Sequence, residues 1–330
     1  MIRRTRTLIN LMKEVSLDEV REKASMPFAL VITGPSRELR QKTINLLSGG
    51  ASYTSGTLIE HDANTGWSPV FERASLVLYV LDHGQVRQSD LELLGRIARI
   101  GLPIIVLLLN AAALVGDQNT LDRFNSMIRD SHAKIKLVRI QDSIETLLRT
   151  ILQELDAFDI AIARQLPPFR PIVANQLISE ASRANAQFAL MSNIPMVIPI
   201  IGNIAAASAD LLVLTKNQIM LVFKLAAVNG QDIHSGRKIL AEIIPVVGAG
   251  FFWRTVAREL ASLMPFGVGA IPKTIIAYAG TFVVGRSAQY YYSTGLQPSN
   301  DLLRKFYSDA LERARKLFPK QDAEHKEQTD

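Results

Sequence analysis

The chain has 330 residues, a net charge of +6 and no cysteine, which leaves room for two ordinary domains and excludes disulfides and thiolate metal sites. Its histidines (His61, His83, His132, His234, His325) are scattered without H-x-x-x-H spacing, so no zinc-enzyme pattern is present and no metal site is expected. Residues 1–165 carry 20 Lys/Arg against 19 Asp/Glu, and residues 166–330 carry 17 against 12. Positive charge beside long apolar runs fits an anionic lipid surface better than nucleic acid.

The start, MIRRTRTLINLMKEV, is basic but lacks an apolar core and a cleavage site. It reads as part of an N-terminal helical segment over residues 1–25, and the cytosolic side is the expected location. From residue 26 to 165, short apolar runs alternate with helix-period segments. The strands expected are 28–33, 57–62, 75–82, 103–110 and 134–140, several of them unbroken Val/Ile/Leu runs as in a parallel sheet covered on both faces. Ser89 ahead of Asp90-Leu91-Glu92 reads as a capping box, with Leu91, Leu94 and Ile97 on the apolar face of the helix that follows. Asp142 and Glu145 open the last helix, with Leu148, Ile151, Leu152 and Leu155 facing inward. Strand–helix alternation at this spacing predicts a doubly wound α/β domain.

Such sheets bind ligands at the carboxyl ends of their strands. After the first strand stands ITGPSRELRQKT (32–43), the position of a G-x-x-x-x-G-K-[ST] phosphate loop. Counted from Gly34, the last three positions hold Leu39, Arg40 and Gln41. Lys42 and Thr43 do form a K-T pair, but two residues late, which is about 200° of rotation on a helix. An ordinary strand–turn–helix with an exposed basic pair is the preferred account of these residues. In HDANTGW (61–67), Asp62 and Gly66 are one residue too far apart for a D-x-x-G turn.

The run from Glu72 to Val115 resembles the centre of a translation-factor-type GTPase of the Era/TrmE sort, in which a strand ending in N-K-x-D follows a V-D-A strand and a helix. The resemblance implies that Asn110 stands at the Asn of that motif, with Ala111 and Ala113 replacing its Lys and its guanine-reading Asp. Guanine specificity would then be lost, because alanine accepts no hydrogen bond from the base. With all three motifs altered at their chemical residues, the domain reads as a P-loop GTPase-like fold without hydrolysis. Any residual nucleotide site would use Gly34, Lys42, Thr43, Asp62 and Asn110.

The segment LPPFRP (166–171) reads as a linker, since its prolines cannot continue the preceding helix. Beyond it, residues 172–318 read as an all-α, strongly apolar domain. Its first helix is given an inward stripe of Val173, Leu177, Ala181, Ala184, Phe188 and Met191. The stretches 193–215, 243–253 and 262–285 are apolar, but Asp210 and Lys273 spoil clean membrane spans. For 193–215, roughly −3 to −6 kcal/mol of apolar transfer is offset by about +3 for the acid and by Asn and Pro, so the sum is near zero. Re-entrant or interfacial hairpins, or helices buried against each other, are the expected alternatives. Phe251, Phe252 and Trp253, with Arg286, Tyr290 and Tyr291, are candidates for an interfacial belt or a packing seam. The helix 301–318 sets Leu303, Phe306, Ala310, Ala314 and Leu317 against basic residues, for a membrane surface or a partner. A polar tail fills 319–330.

Spread over residues 170–295, ANAQFAL, D210-L-L, T215-K-N-Q-I-M220, LAAVNG and G280-T-F-V-V-G-R286 make this half similar to a bacterial helical domain of unknown function. That domain accompanies Era-like GTPase domains in YcjF-type inner-membrane proteins. The resemblance implies a location on the cytoplasmic side of the bacterial inner membrane, with a plain cytoplasmic location as the alternative. The function expected is a non-catalytic, membrane-associated scaffold or adaptor with an unknown protein partner, a homo-oligomer left open, and no nucleic acid. The alternative is a nucleotide-responsive switch taking a weak Mg-nucleotide as its only cofactor; a small channel or transporter subunit ranks third.

Overall fold

The computed structural model describes residues 17–81, 84–109, 114–130, 132, 134–140, 144–191, 209–235, 239 and 273–318. They divide into two compact units, one from Lys23 to Ile172 and the other from Val173 onward together with the chain up to Glu22.

The first unit is α/β. Helix α1 (Asp18–Ser25) leads into β1 (Leu30–Gly34), α2 (Arg37–Ser48) and β2 (Leu58–Asp62). Then follow β3 (Leu76–Leu81), α3 (Gln88–Arg99), β4 (Ile104–Leu109), α4 (Gln118–Arg129), β5 (Ile135–Ile140), α5 (Glu145–Glu154) and α6 (Asp159–Gln165). The five strands pair in the order β2-β1-β3-β4-β5, all parallel. Every residue of β1, β3 and β4 is buried, whereas the edge strands are mostly uncovered: β2 buries only Leu58, and β5 only Ile135 and Val138. That division follows from the sequence: central strands are apolar on both faces, and edge strands carry Glu60, Lys136 and Arg139. One face packs Val31, Val77, Tyr79, Leu81, Val106 and Leu108 against Leu94, Ile97 and Phe124.

Two details of the sequence reading change. The cap of α3 is not at Ser89: the N-cap is Arg87, whose backbone N–H donates to Asp90 Oδ2 at 2.8 Å. Asp90 is drawn to that role because its other oxygen accepts from the buried Tyr79 hydroxyl at 2.7 Å. The Pro-rich segment does stop α6, but it is packed instead of loose. Pro167–Phe169 make one 3-10 turn, Leu166 and Phe169 are fully buried, and Arg170 Nε donates to the Ala163 carbonyl at 3.2 Å.

Helix α7 (Arg170–Met191) carries the chain into the second unit, which contains α8 (Ala209–Val228), α9 (Lys273–Thr294) and α10 (Asn300–Leu317). The α1 end of the chain belongs here because Arg21 donates to the carbonyls of Ile233 and His234. The inward stripe of α7 is rotated from the expected one: Val173, Ala174, Leu177, Ile178, Ser182, Asn185, Ala186 and Ala189 are buried, while Ala184 and Met191 are exposed. Polar Ser182 and Asn185 take the inner face because both find partners there. Ser182 bonds its own helix at Ile178, and Asn185 donates to Thr281 of α9 at 2.8 Å and accepts from Asn217 of α8 at 2.7 Å. Gly285 lets these helices approach, since a Cβ there would lie 2.7 Å from Ile178 Cγ1 and 3.0 Å from Leu221 Cδ2.

Among the described residues no helix is long and apolar enough to cross a membrane. Residues 243–253 lie outside them, as do 193–208 and 262–272 of the other two apolar stretches; the remainders form parts of α8 and α9. Helix α10 buries Leu303, Phe306, Tyr307, Ala310, Leu311 and Ala314 against its own unit, so its apolar side is covered by protein; Leu317 stays exposed.

Candidate functional site

The chain order reverses between β1 and β3, because α2 carries β1 to one side of the sheet and the next crossover returns to the other. A doubly wound sheet places its crevice at that point. What the sequence builds there is short. Only Pro35 and Ser36 separate β1 from α2, and the helix begins at Arg37. Ser36 caps it, its hydroxyl accepting from Leu39 N–H. A phosphate loop instead runs through its second glycine and turns several backbone N–H groups toward the ligand. Gly34 is required for another reason: a Cβ would sit 2.3 Å from the Val80 carbonyl oxygen on β3. Its lack of a side chain serves strand packing.

Arg40, only 4% exposed, occupies the place in the pattern where the phosphate-binding lysine would stand, and it turns toward β1 and β2. Its Nη1 donates to the Gly34 carbonyl at 2.6 Å, its Nε to Glu60 Oε1 at 3.0 Å, and its Nη2 lies 3.6 Å from Asp62 Oδ2. Glu60 and Asp62 are two apart on β2 and therefore share a face. Gln41 adds a second donor to Glu60. The charge that would meet a phosphate is already met by the protein's own carboxylates.

Around this pair the loops are tied to one another. Asp62 accepts from Asn64 N–H at 2.9 Å, Asn64 Nδ2 donates to the Pro35 carbonyl at 3.3 Å, and Arg87 donates to Asn64 Oδ1 at 3.3 Å. Arg87 also holds Asp90 at 2.9 Å. His61 sits between Thr33 Oγ1 at 3.0 Å and Thr65 Oγ1 at 3.3 Å, edge-on to the Phe71 ring at 4.8 Å. Burial lowers the His61 pKa, the Asp62 carboxylate opposes that shift, and Arg40 reinforces it.

The expected nucleotide residues do not converge here. Gly34 and Asp62 border the Arg40 site, but Lys42 is exposed in a shallow groove with Glu38, Gln41, Asn45 and Leu46. Thr43 is buried, and its hydroxyl donates to the Leu39 carbonyl of its own helix at 2.8 Å. Asn110 lies outside the described residues, as do Phe251, Phe252 and Trp253. Arg286 donates to Asn175 Oδ1 at 2.8 Å and lies over the Phe306 ring, so it ties α9 to α7 and α10. Tyr290 and Tyr291 are half-buried, Tyr291 edge-on to Tyr292 at 5.5 Å. Arg40 was not among the expected site residues; its signal was an arginine at the lysine position with two same-face carboxylates on the next strand. The chain matches no protein-family model, and no curated protein is significantly similar to it.

Proposed function

We propose that the chain is a non-catalytic, GTPase-like pseudoenzyme that acts as a membrane-associated scaffold or adaptor, with its α/β unit as an interaction module. The observation that carries the first part is Arg40. A buried guanidinium bonded to the Gly34 carbonyl and balanced by Glu60 and Asp62 leaves the lysine position of the pattern with a cation whose charge is already paired. The two-residue turn beside it has no room for a nest of N–H donors. The apolar and basic second half supports the membrane part, which is peripheral or carried by segments other than the described helices.

Equilibrium titration with Mg-GTP and Mg-ATP tests the nucleotide part. No saturable binding in the micromolar range is expected; binding lost in Lys42→Ala would overturn it in favour of a nucleotide-responsive switch. Washing native membranes with high salt and then alkali tests location. Retention or salt release is expected, and a protein free in solution before any wash removes the membrane part.

A further inference from the structure

In the helical unit, arginines from two facing helices lie over aromatic rings. Arg286 of α9 lies 5.6 Å from the Phe306 ring centre, and Arg313 of α10 lies 5.5 Å from that of Phe282. Phe282 and Arg286 are one turn apart on α9, and Phe306 and Arg313 two turns apart on α10. Each helix therefore offers the other one ring and one guanidinium, in a crossed pair.

A guanidinium laid on a ring face keeps its in-plane N–H donors free at the edge. Arg286 uses one on Asn175 Oδ1. Among the described residues neither arginine is in a salt bridge. Glu312 is taken by Lys316 at 2.6 Å, Glu180 accepts from Gln176 at 2.9 Å, and Asp309 acts on Arg286 only through its field. Burial and the like charge of Arg313 lower the Arg286 pKa, Asp309 partly opposing them. Like-charged forks held together without a contacting carboxylate are arranged to accept an oxyanion.

We propose that Arg286 and Arg313 form a binding site for a phosphomonoester group, borne by a soluble molecule or by an anionic lipid headgroup. The planar forks take two phosphate oxygens each, and the rings keep them aimed. The site is independent of the α/β unit.

The test uses the full-length protein, with inorganic phosphate against chloride at matched ionic strength, read by thermal melting and equilibrium dialysis. A second arm is co-sedimentation with phosphatidylcholine vesicles with or without phosphatidic acid. Saturable phosphate binding that weakens at least about tenfold in Arg313→Gln and Arg286→Lys is expected, from the loss of charged hydrogen bonds. Without arginine-dependent vesicle binding, this result assigns a soluble ligand; phosphatidic-acid-dependent sedimentation lost in the same variants assigns a lipid. Arg313 is exposed, so its variant keeps the fold even where Arg286→Lys weakens it. Phosphate no better than chloride, together with vesicle binding absent or unchanged in Arg313→Gln, overturns the proposal. Mg-GTP binding lost in Arg313→Gln but kept in Lys42→Ala belongs to this site and leaves the pseudo-GTPase reading standing.

Discussion

Replacing Arg40 with methionine keeps the bulk of the side chain and removes its charge. The Gly34 carbonyl then loses its donor and Glu60 its charged partner, though Glu60 keeps Gln41 and, 28% exposed, regains water. The expected cost is about 2–3 kcal/mol, measured by urea denaturation. His61 gives a pH signature. Its folded pKa lies below the ordinary value of about 6.5, so the unfolded chain takes up the proton first. Its contribution to stability is complete above that value and is lost as pH falls through the folded pKa. Melting midpoints of wild type should drop more steeply below about pH 6.5 than those of His61→Asn, and parallel curves would remove His61 as the cause.

At the scale of elements, the polar seam of the helical unit is the sensitive point. Asn185→Ala leaves Asn217 and Thr281 short of a partner inside the bundle and should cost about 2–3 kcal/mol. Gly285→Ala forces Ile178 and Leu221 apart and should cost about 1–3 kcal/mol, less in combination with Ile178→Val; thermal melts of single and double variants measure both. The strands were readable to within about two residues, because unbroken Val/Ile/Leu runs admit one reading once the flanking turns are placed. The stripe of α7 was not readable in the same way. Apolarity alone favours Phe188 and Met191, and only the partners on α8 and α9 explain why Asn185 turns inward. The Arg40 site lay between these cases: its residues were visible in the sequence, but the shortness of the turn that brings them together was not.

For the whole molecule, the division at Ile172 makes a prediction. The sheet, its helices and the packed turn at Pro167–Phe169 form one core within residues 23–172, so that fragment should fold by itself. Cooperative melting with an α/β circular dichroism spectrum is the expected outcome. Membrane attachment, if it follows the second unit, should then be absent from the fragment, which vesicle sedimentation of both forms would reveal.

The two-residue turn between β1 and α2 also bears on how this site can change over generations. Writing the letters of a phosphate loop by Leu39→Gly, Arg40→Lys and Gln41→Ser would leave the chain with no more backbone between strand and helix than before. It would also replace the guanidinium fork that reaches the Gly34 carbonyl, Glu60 and Asp62 together with a single ammonium that cannot match all three contacts. The triple variant is therefore expected not to bind Mg-GTP and to be less stable than wild type, which calorimetric titration and melting would check. Nucleotide binding at this turn would therefore take added backbone as well as changed side chains: the turn's length, more than its letters, limits what the site can become.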